Sequence, residues 1–222
     1  MILAMIPARM GSQRLKQKNL QPVCGVPLIT HAIRKCIRAD AFDEIWVNSE
    51  HTTFATIAQE EGVLFHQRPA SLASNTATSE DYIFEFLCNH VCDILFQVHS
   101  IAPLLSAETV RDFVEKMCAG DFDVLLSCVE EQIECAMEGV PVNFSYDRKQ
   151  NSQDLSPIQR VTWSITAWRR EPYLKAYEAK RCATYNGKVG FFPIDRMGGH
   201  IIKNEEDLKI ADMFMRVEGR EL

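Results

Sequence analysis

Through about residue 128 the chain alternates short apolar runs with segments of helical periodicity, and this alternation restricts the fold more than any other feature. Ile2 to Ile6 is an apolar run that stops at Pro7, which suits a strand buried on both faces. From Leu28 to Ala39 the apolar positions Leu28, Ile29, Ala32, Ile33, Cys36 and Ile37 fall on one helical side. EIWVN reads as a second strand, Phe54 to Glu61 as a helix capped by Gly62, and VLFH as a third strand. Thr78 to Asn89 reads as a helix with acidic residues in its first turn. Asp93 to Val98 is a strand, Glu108 to Met117 a helix and Val124 to Cys128 a strand. Such alternation predicts an α/β fold, a mostly parallel sheet flanked by helices on both faces. Ligands in such sheets bind beyond the carboxyl ends of the strands, so the segments after Ile6, Val47 and Val98 share one rim. From about 130 to 167 the pattern weakens, and VPVNFSYD and RVTWSITAW suggest a β-rich excursion. GKVGFFPI is again strand-like, and EEDLKIADMFMRVE is an amphipathic helix.

The 222 residues are enough for a single domain that needs no metal or disulfide staple. Lys plus Arg is 24 against 30 Asp plus Glu, a net charge of −6 that argues against non-specific nucleic-acid binding. No run approaches the roughly eighteen apolar residues that span a bilayer. The N-terminal segment turns basic after its apolar run, the reverse of a signal peptide, so a cytoplasmic protein with no membrane partner is expected. The eight cysteines include no CxxC; Cys88 and Cys92 flank His90 without a second ligand pair, which favours reduced thiols over a zinc site.

The loop after the first strand carries Arg9, Arg14, Lys16 and Lys18 beside Gly11 and Ser12. Glycine allows close backbone approach, N–H groups cradle phosphate oxygens, and the cations add charge-assisted bonds. The loop therefore suits a triphosphate, with a plain solvated basic turn as the alternative. It is neither a Walker A loop nor GxGxxG.

IPARMGSQRLKQKN resembles the opening motif of the acylneuraminate cytidylyltransferases, IPARxGSxRxxxKN. QRPASLASNTATSED, FQVHSIAPLL, NSQDLSPIQRVTWSITAW and IIKNEEDLKIAD resemble later segments of that family in the same order. The resemblance implies one Rossmann-like domain over residues 1–222, with about 130–167 as a protruding dimerisation and acceptor-site excursion. It implies a homodimer that transfers CMP from CTP to a sialic-acid-like 2-keto sugar acid and releases pyrophosphate. Carried over by position, Ala8, Arg9, Gly11, Ser12, Arg14, Lys18 and Asn19 would hold the nucleotide, as would Arg68, Ala77 and Ser79. Gln97, His99 and Arg160 would face the acceptor, and Arg9, Lys18 and Lys203 would act in catalysis. Simpler roles stay open: Ser12 and Asn19 as turn residues, Arg68 on a surface loop, Ser79 as a helix N-cap, Gln153 and Asp154 in a solvated turn.

The chain also departs from the family pattern. The two aspartates of the family's DID ending, expected ligands of Mg²⁺, become Ile201 and Lys203, and His99 stands after the central strand where a related branch has an aspartate. Mg²⁺ remains the cofactor the resemblance implies, with its ligands unassigned. Either triphosphate and water hold the metal, or Lys203 supplies charge in its place, or the chain binds a nucleotide without catalysis; an alignment shifted by a few residues would instead offer Glu205, Glu206 or Asp207 as ligands. The family's ENGAIY becomes VTWSITA, where Trp163 and Trp168 add bulk, and the arginine of its SPLR becomes Leu105. A phosphonate or other small anion is therefore a second possible acceptor, and Trp168 could equally be core or dimer interface.

Overall fold

The computed structural model describes residues 1–218. In chain order the strands are β1 (Ile2–Pro7), β2 (Pro22–Val23), β3 (Val26–Pro27), β4 (Glu44–Ser49), β5 (Leu64–Gln67) and β6 (Ile94–Val98). They continue as β7 (Val124–Glu131), β8 (Ala136–Met137), β9 (Val140–Pro141), β10 (Ile158–Arg169) and β11 (Val189–Pro193). The helices are α1 (Leu28–Ala39), α2 (Thr52–Glu60), α3 (Ser79–Asn89), α4 (Ala107–Ala119), α5 (Arg170–Glu178) and α6 (Glu205–Glu218). Among the described residues no helix is long and apolar enough to cross a membrane.

Seven strands form one sheet in the order β11-β7-β10-β6-β1-β4-β5. The pairs β6/β1, β1/β4, β4/β5 and β7/β11 are parallel, and β10 runs antiparallel to both of its neighbours. β1 alternates between two cores, as the period of two demands. Ala4 and Ile6 pack with α1, α2 and α4, whereas Leu3 and Met5 pack with α3 and α5. A third cluster joins Leu15 of the first loop to Leu28 of α1, Ile202, and Ala211 and Met215 of α6.

The mostly parallel α/β expectation holds, with one revision. The excursion is narrower than residues 130–167, because 158–167 lie within β10, a central strand. Its polar side chains obscured this. Thr162, Ser164 and Thr166 are buried in the sheet. Thr162 and Ser127 share a hydroxyl bond of 2.9 Å, and Ser164 Oγ donates to the Gly198 carbonyl at 2.8 Å. Between Val161 and Thr166 the register slips, and Trp163 there takes φ 60°, a left-handed conformation costly for a bulky residue. Trp168 is core: its indole N–H donates to the Thr184 carbonyl at 3.1 Å. The part that protrudes contains the β8–β9 hairpin, turned by Glu138 and Gly139 at φ 51° and 80°, as a two-residue hairpin loop requires.

α3 begins one residue later than its sequence pattern suggests. Thr78 is the N-cap, with its hydroxyl and the Asp81 carboxylate forming a capping box, so Ser79 is the first helical residue and not the cap. α1 carries a buried lysine on its core face: Lys35 Nζ donates to the Ala102 carbonyl at 2.5 Å. Burial pulls its pKa from 10.5 to about 7. Between those values the unfolded chain holds a proton that the folded chain has lost, so stability rises with pH across that window. Relative to Lys35→Met, wild type should therefore gain about 1 kcal/mol per pH unit between roughly pH 7.5 and 9 in urea unfolding. A constant difference would show that Lys35 stays charged.

Candidate functional site

The carboxyl ends of β1, β4 and β6 meet on one rim, and a buried guanidinium ties the first two together. Arg68, just past β5, donates to the Ala8 carbonyl at 2.9 Å, to Asn48 Oδ1 at 3.4 Å and to Glu50 Oε2 at 3.2 Å. The other Glu50 oxygen accepts the Met10 N–H at 2.8 Å, and Tyr82 of α3 lies 4.9 Å beneath the guanidinium. Burial lowers the pKa of Arg68, opposed by Glu50 and Tyr82. Asn19 fastens the far end of the loop, donating to the Arg9 carbonyl at 3.0 Å and accepting from Ser100 Oγ at 2.7 Å. Lys18 Nζ donates to the Ile202 carbonyl at 3.0 Å; burial and then Arg14 and Arg9 lower its pKa. Arg68 is thus not a surface residue, and Asn19 has a turn-bracing role.

Two adjoining cavities open on this rim. The first, about 380 Å³, is walled by Ala8, Arg9, Ser12, Arg14, Lys18, Asn19, Arg68, Ala77 and Ser79, all of them predicted nucleotide residues. Gly11 is absent from that wall; it is exposed, and a Cβ there would meet nothing within 4 Å. Ser74, Asn75, Ser100 and Tyr82 also line the cavity and were not foreseen. Tyr82 sits three residues after Ser79 on α3, a spacing that puts both on one helix face and could have pointed to it. No Asp or Glu lines this cavity.

The second cavity, about 610 Å³, contains Arg160, Lys203, Trp163, Arg196, His200 and Asp207. Arg14, Lys18, His99 and Ile101 line both cavities. Arg160 is exposed and its Nε donates to Glu131 at 2.9 Å. Asp207 Oδ2 accepts the N–H groups of Lys203 and Asn204 at 2.8 and 3.1 Å, capping α6 as its sequence position suggests. Arg196 and His200 escaped sequence reading because they stand in an irregular stretch without a motif. Gln97 lines neither cavity and stands behind their common wall, its amide against the Tyr82 hydroxyl at 3.4 Å and against His99 Nε2. Burial, and then Lys18, pull the His99 pKa down to about 4, so its ring is neutral at ordinary pH.

The donors present do not fit a protein-held Mg²⁺. Among the described residues no cluster of three His, Cys, Asp or Glu is placed to hold a metal. Ile201 and Lys203 lie in the second cavity, and neither offers an oxygen ligand from its side chain.

A largely parallel α/β sheet with a cationic hollow across its strand ends defines a class that binds anionic ligands at that rim. The cytidylyltransferase family model matches residues 3–185, and the chain belongs to that family. It is 28% identical over 166 residues to N-acylneuraminate cytidylyltransferase A of Danio rerio, covering 70% of this chain and 38% of that protein. It is 28% identical over 195 residues to the N-acylneuraminate cytidylyltransferase of Streptococcus agalactiae serotype V, covering 82% and 47%. A CMP-N,N'-diacetyllegionaminic acid synthase of Legionella pneumophila is 34% identical over 120 residues, 51% of this chain and 52% of that one. The chain therefore spans less than half the length of the first two relatives. In fold it is similar to a CMP:2-keto-3-deoxy-manno-octonic acid synthetase complexed with CTP, with a TM-score of 0.74 at 18% identity over 98% of this chain and 99% of that one. The 4-diphosphocytidyl-2C-methyl-D-erythritol synthase of Anaerococcus prevotii superposes with a TM-score of 0.71 at 13% identity over 97% and 98%.

Removing Arg68 would leave Glu50 and the Ala8 carbonyl without their buried partner. Arg68→Met should cost about 3 kcal/mol in urea unfolding, in the range for breaking a buried ion pair. Adding Glu50→Gln should return part of that loss. A cost below about 1 kcal/mol would show that the network is not a structural clamp.

Proposed function

We propose that this chain transfers a cytidylyl group from CTP to an anionic acceptor and releases pyrophosphate. The observation that carries this reading is the pair of adjoining cavities with Arg14 and Lys18 on their common wall. A triphosphate in the first cavity would meet Arg9, Arg14, Lys18 and Arg68, and an acid in the second would meet Arg160, Arg196 and Lys203. Cations aimed at the reacting phosphate lower the barrier because they are already in place when charge develops. Family membership and the fold neighbour complexed with CTP support cytidine as the base. The preferred acceptor is a sialic-acid-like 2-keto sugar acid, supported by the names of the relatives. A phosphonate or similar small anion is the second reading, favoured by the three long cations and the bulk of Trp163 in the acceptor cavity. The lack of a carboxylate in the first cavity favours a third reading, a nucleotide-binding relative without turnover.

The protruding segment supports a homodimer as part of the proposal. Met137, Val140, Val142 and Tyr146 are each at least 60% exposed there, an apolar set that a second copy would cover. Sizing at micromolar concentration should give a dimer, and a clean monomer would remove that part.

Pyrophosphate release tests the reaction. Protein, CTP and Mg²⁺ are offered keto sugar acids and phosphonates, with ATP, GTP and UTP as controls. Release that requires CTP and one acceptor is expected, and Lys18→Met should lower kcat/KM by about 100-fold or more. Calorimetric CTP binding with no turnover on any acceptor would leave the third reading, and no CTP binding would overturn all three. Lys203→Asp should reduce activity about ten-fold at equal Mg²⁺ if the ammonium supplies charge at the reacting centre. Unchanged or higher activity would remove Lys203 from catalysis.

A further inference from the structure

Where two cavities adjoin, their common wall decides what chemistry can occur between their contents. On the cytidylyl-transfer reading above, the acceptor hydroxyl meets the α-phosphorus of CTP at that wall. Its four residues are Arg14, Lys18, His99 and Ile101. A guanidinium is a donor only and Ile101 is apolar. The Lys18 ammonium is committed as a donor to the Ile202 carbonyl. No carboxylate lines the first cavity, and Asp207, the one that lines the second, holds two backbone N–H groups of the α6 cap. We infer that His99 is the general base that removes the proton from the attacking acceptor hydroxyl.

The ring is held in position from two sides. Its backbone N–H donates to the Ser164 carbonyl at 3.1 Å, within the irregular stretch of β10. Its Nε2 meets the amide of Gln97, a side chain buried behind the wall. As placed, Gln97 Oε1 is buried without a partner. An amide turned by 180° has nearly the same shape, and its oxygen would accept from both His99 Nε2–H and the Tyr82 hydroxyl. That orientation gives the oxygen two donors and fixes the tautomer, and it moves the unpartnered position to the amide nitrogen. The proton sits on Nε2, and the lone pair is left on Nδ1, which has no protein partner among the described residues. Gln97 is then a positioning residue for the base.

In the step itself the acceptor O–H bond breaks and its proton moves to Nδ1. The oxygen electron pair forms the bond to the α-phosphorus. The bond from that phosphorus to the bridging oxygen breaks, and pyrophosphate leaves with its electron pair. The imidazolium then gives its proton to solvent. The low pKa of His99 keeps the ring unprotonated over the whole neutral range while weakening it as a base, and it places the acid limb of activity near pH 4.

The test compares wild type with His99→Gln and Gln97→Glu by CTP calorimetry, pyrophosphate release and a kcat/KM profile from pH 4 to 8. His99→Gln should bind CTP as wild type does and lose about 10²–10⁴-fold in kcat, together with the acid limb. Gln97→Glu, whose carboxylate favours the imidazolium, should move the acid limb to higher pH. A His99→Gln protein that binds CTP and turns over within three-fold of wild type would overturn the base and leave cytidylyl transfer intact. Wild type that binds CTP but releases no pyrophosphate with any acceptor would overturn the transfer reading and the base with it. If His99→Gln fails to fold, the Gln97→Glu profile decides, and an unmoved limb overturns the assignment.

Discussion

The buried guanidinium of Arg68 is the interaction on which the rim depends. It comes from the segment after β5 and binds the end of β1 through the Ala8 carbonyl and the end of β4 through Asn48 and Glu50. Through Glu50 it also reaches the Met10 N–H of the basic loop. A lysine could not do this, because one point charge does not present a planar fork to three acceptors. Placing a cation there is costly, and its location beside a cavity rich in arginine and lysine raises that cost. Glu50 offsets it, so this carboxylate stabilises the wall of the first cavity through Arg68.

The same arrangement explains why half of the site could be read from the sequence. The first cavity comes mainly from one continuous loop, residues 8–19, and one later segment, 68–79, each bearing a contiguous motif. The second cavity is assembled from the end of β6, the register slip of β10 and the stretch 196–203. No local spacing joins these pieces, and only the topology brings them to one place. Trp163 drew attention as bulk in a rewritten segment, but its left-handed backbone has no signature in its neighbours.

For the fold, strands buried on both faces wrote themselves as apolar runs, and β1 and β6 were legible for that reason. The inner part of β10, residues 164–168, is as buried, and β10 carries threonine and serine where a core strand has valine. Hydroxyl pairing across to Ser127 and Gly198 makes this tolerable, and partners 35 and 34 residues away cannot be inferred from alternation. α5, REPYLKAYE, buries only Tyr173 and Ala176 and so left too little apolar periodicity to be noticed. In TATSED several residues can cap a helix; Asp81, three beyond Thr78, selects it through the reciprocal bond.

Leu15, in the middle of the basic loop, is buried against Ile202, Ala211 and Met215. The loop therefore takes its shape from a helix nearly two hundred residues further along the chain. Earlier elements brace the loop at its two ends, through Glu50 and Ser100, and α6 with Ile202 supplies part of the apolar seat for its middle. A chain without α6 would keep the residues that wall the first cavity and lose part of the seat that holds the middle of their loop. The rim is thus tied to the buried face of α6, and a change of volume at Ala211 or Met215 would be felt in the basic loop.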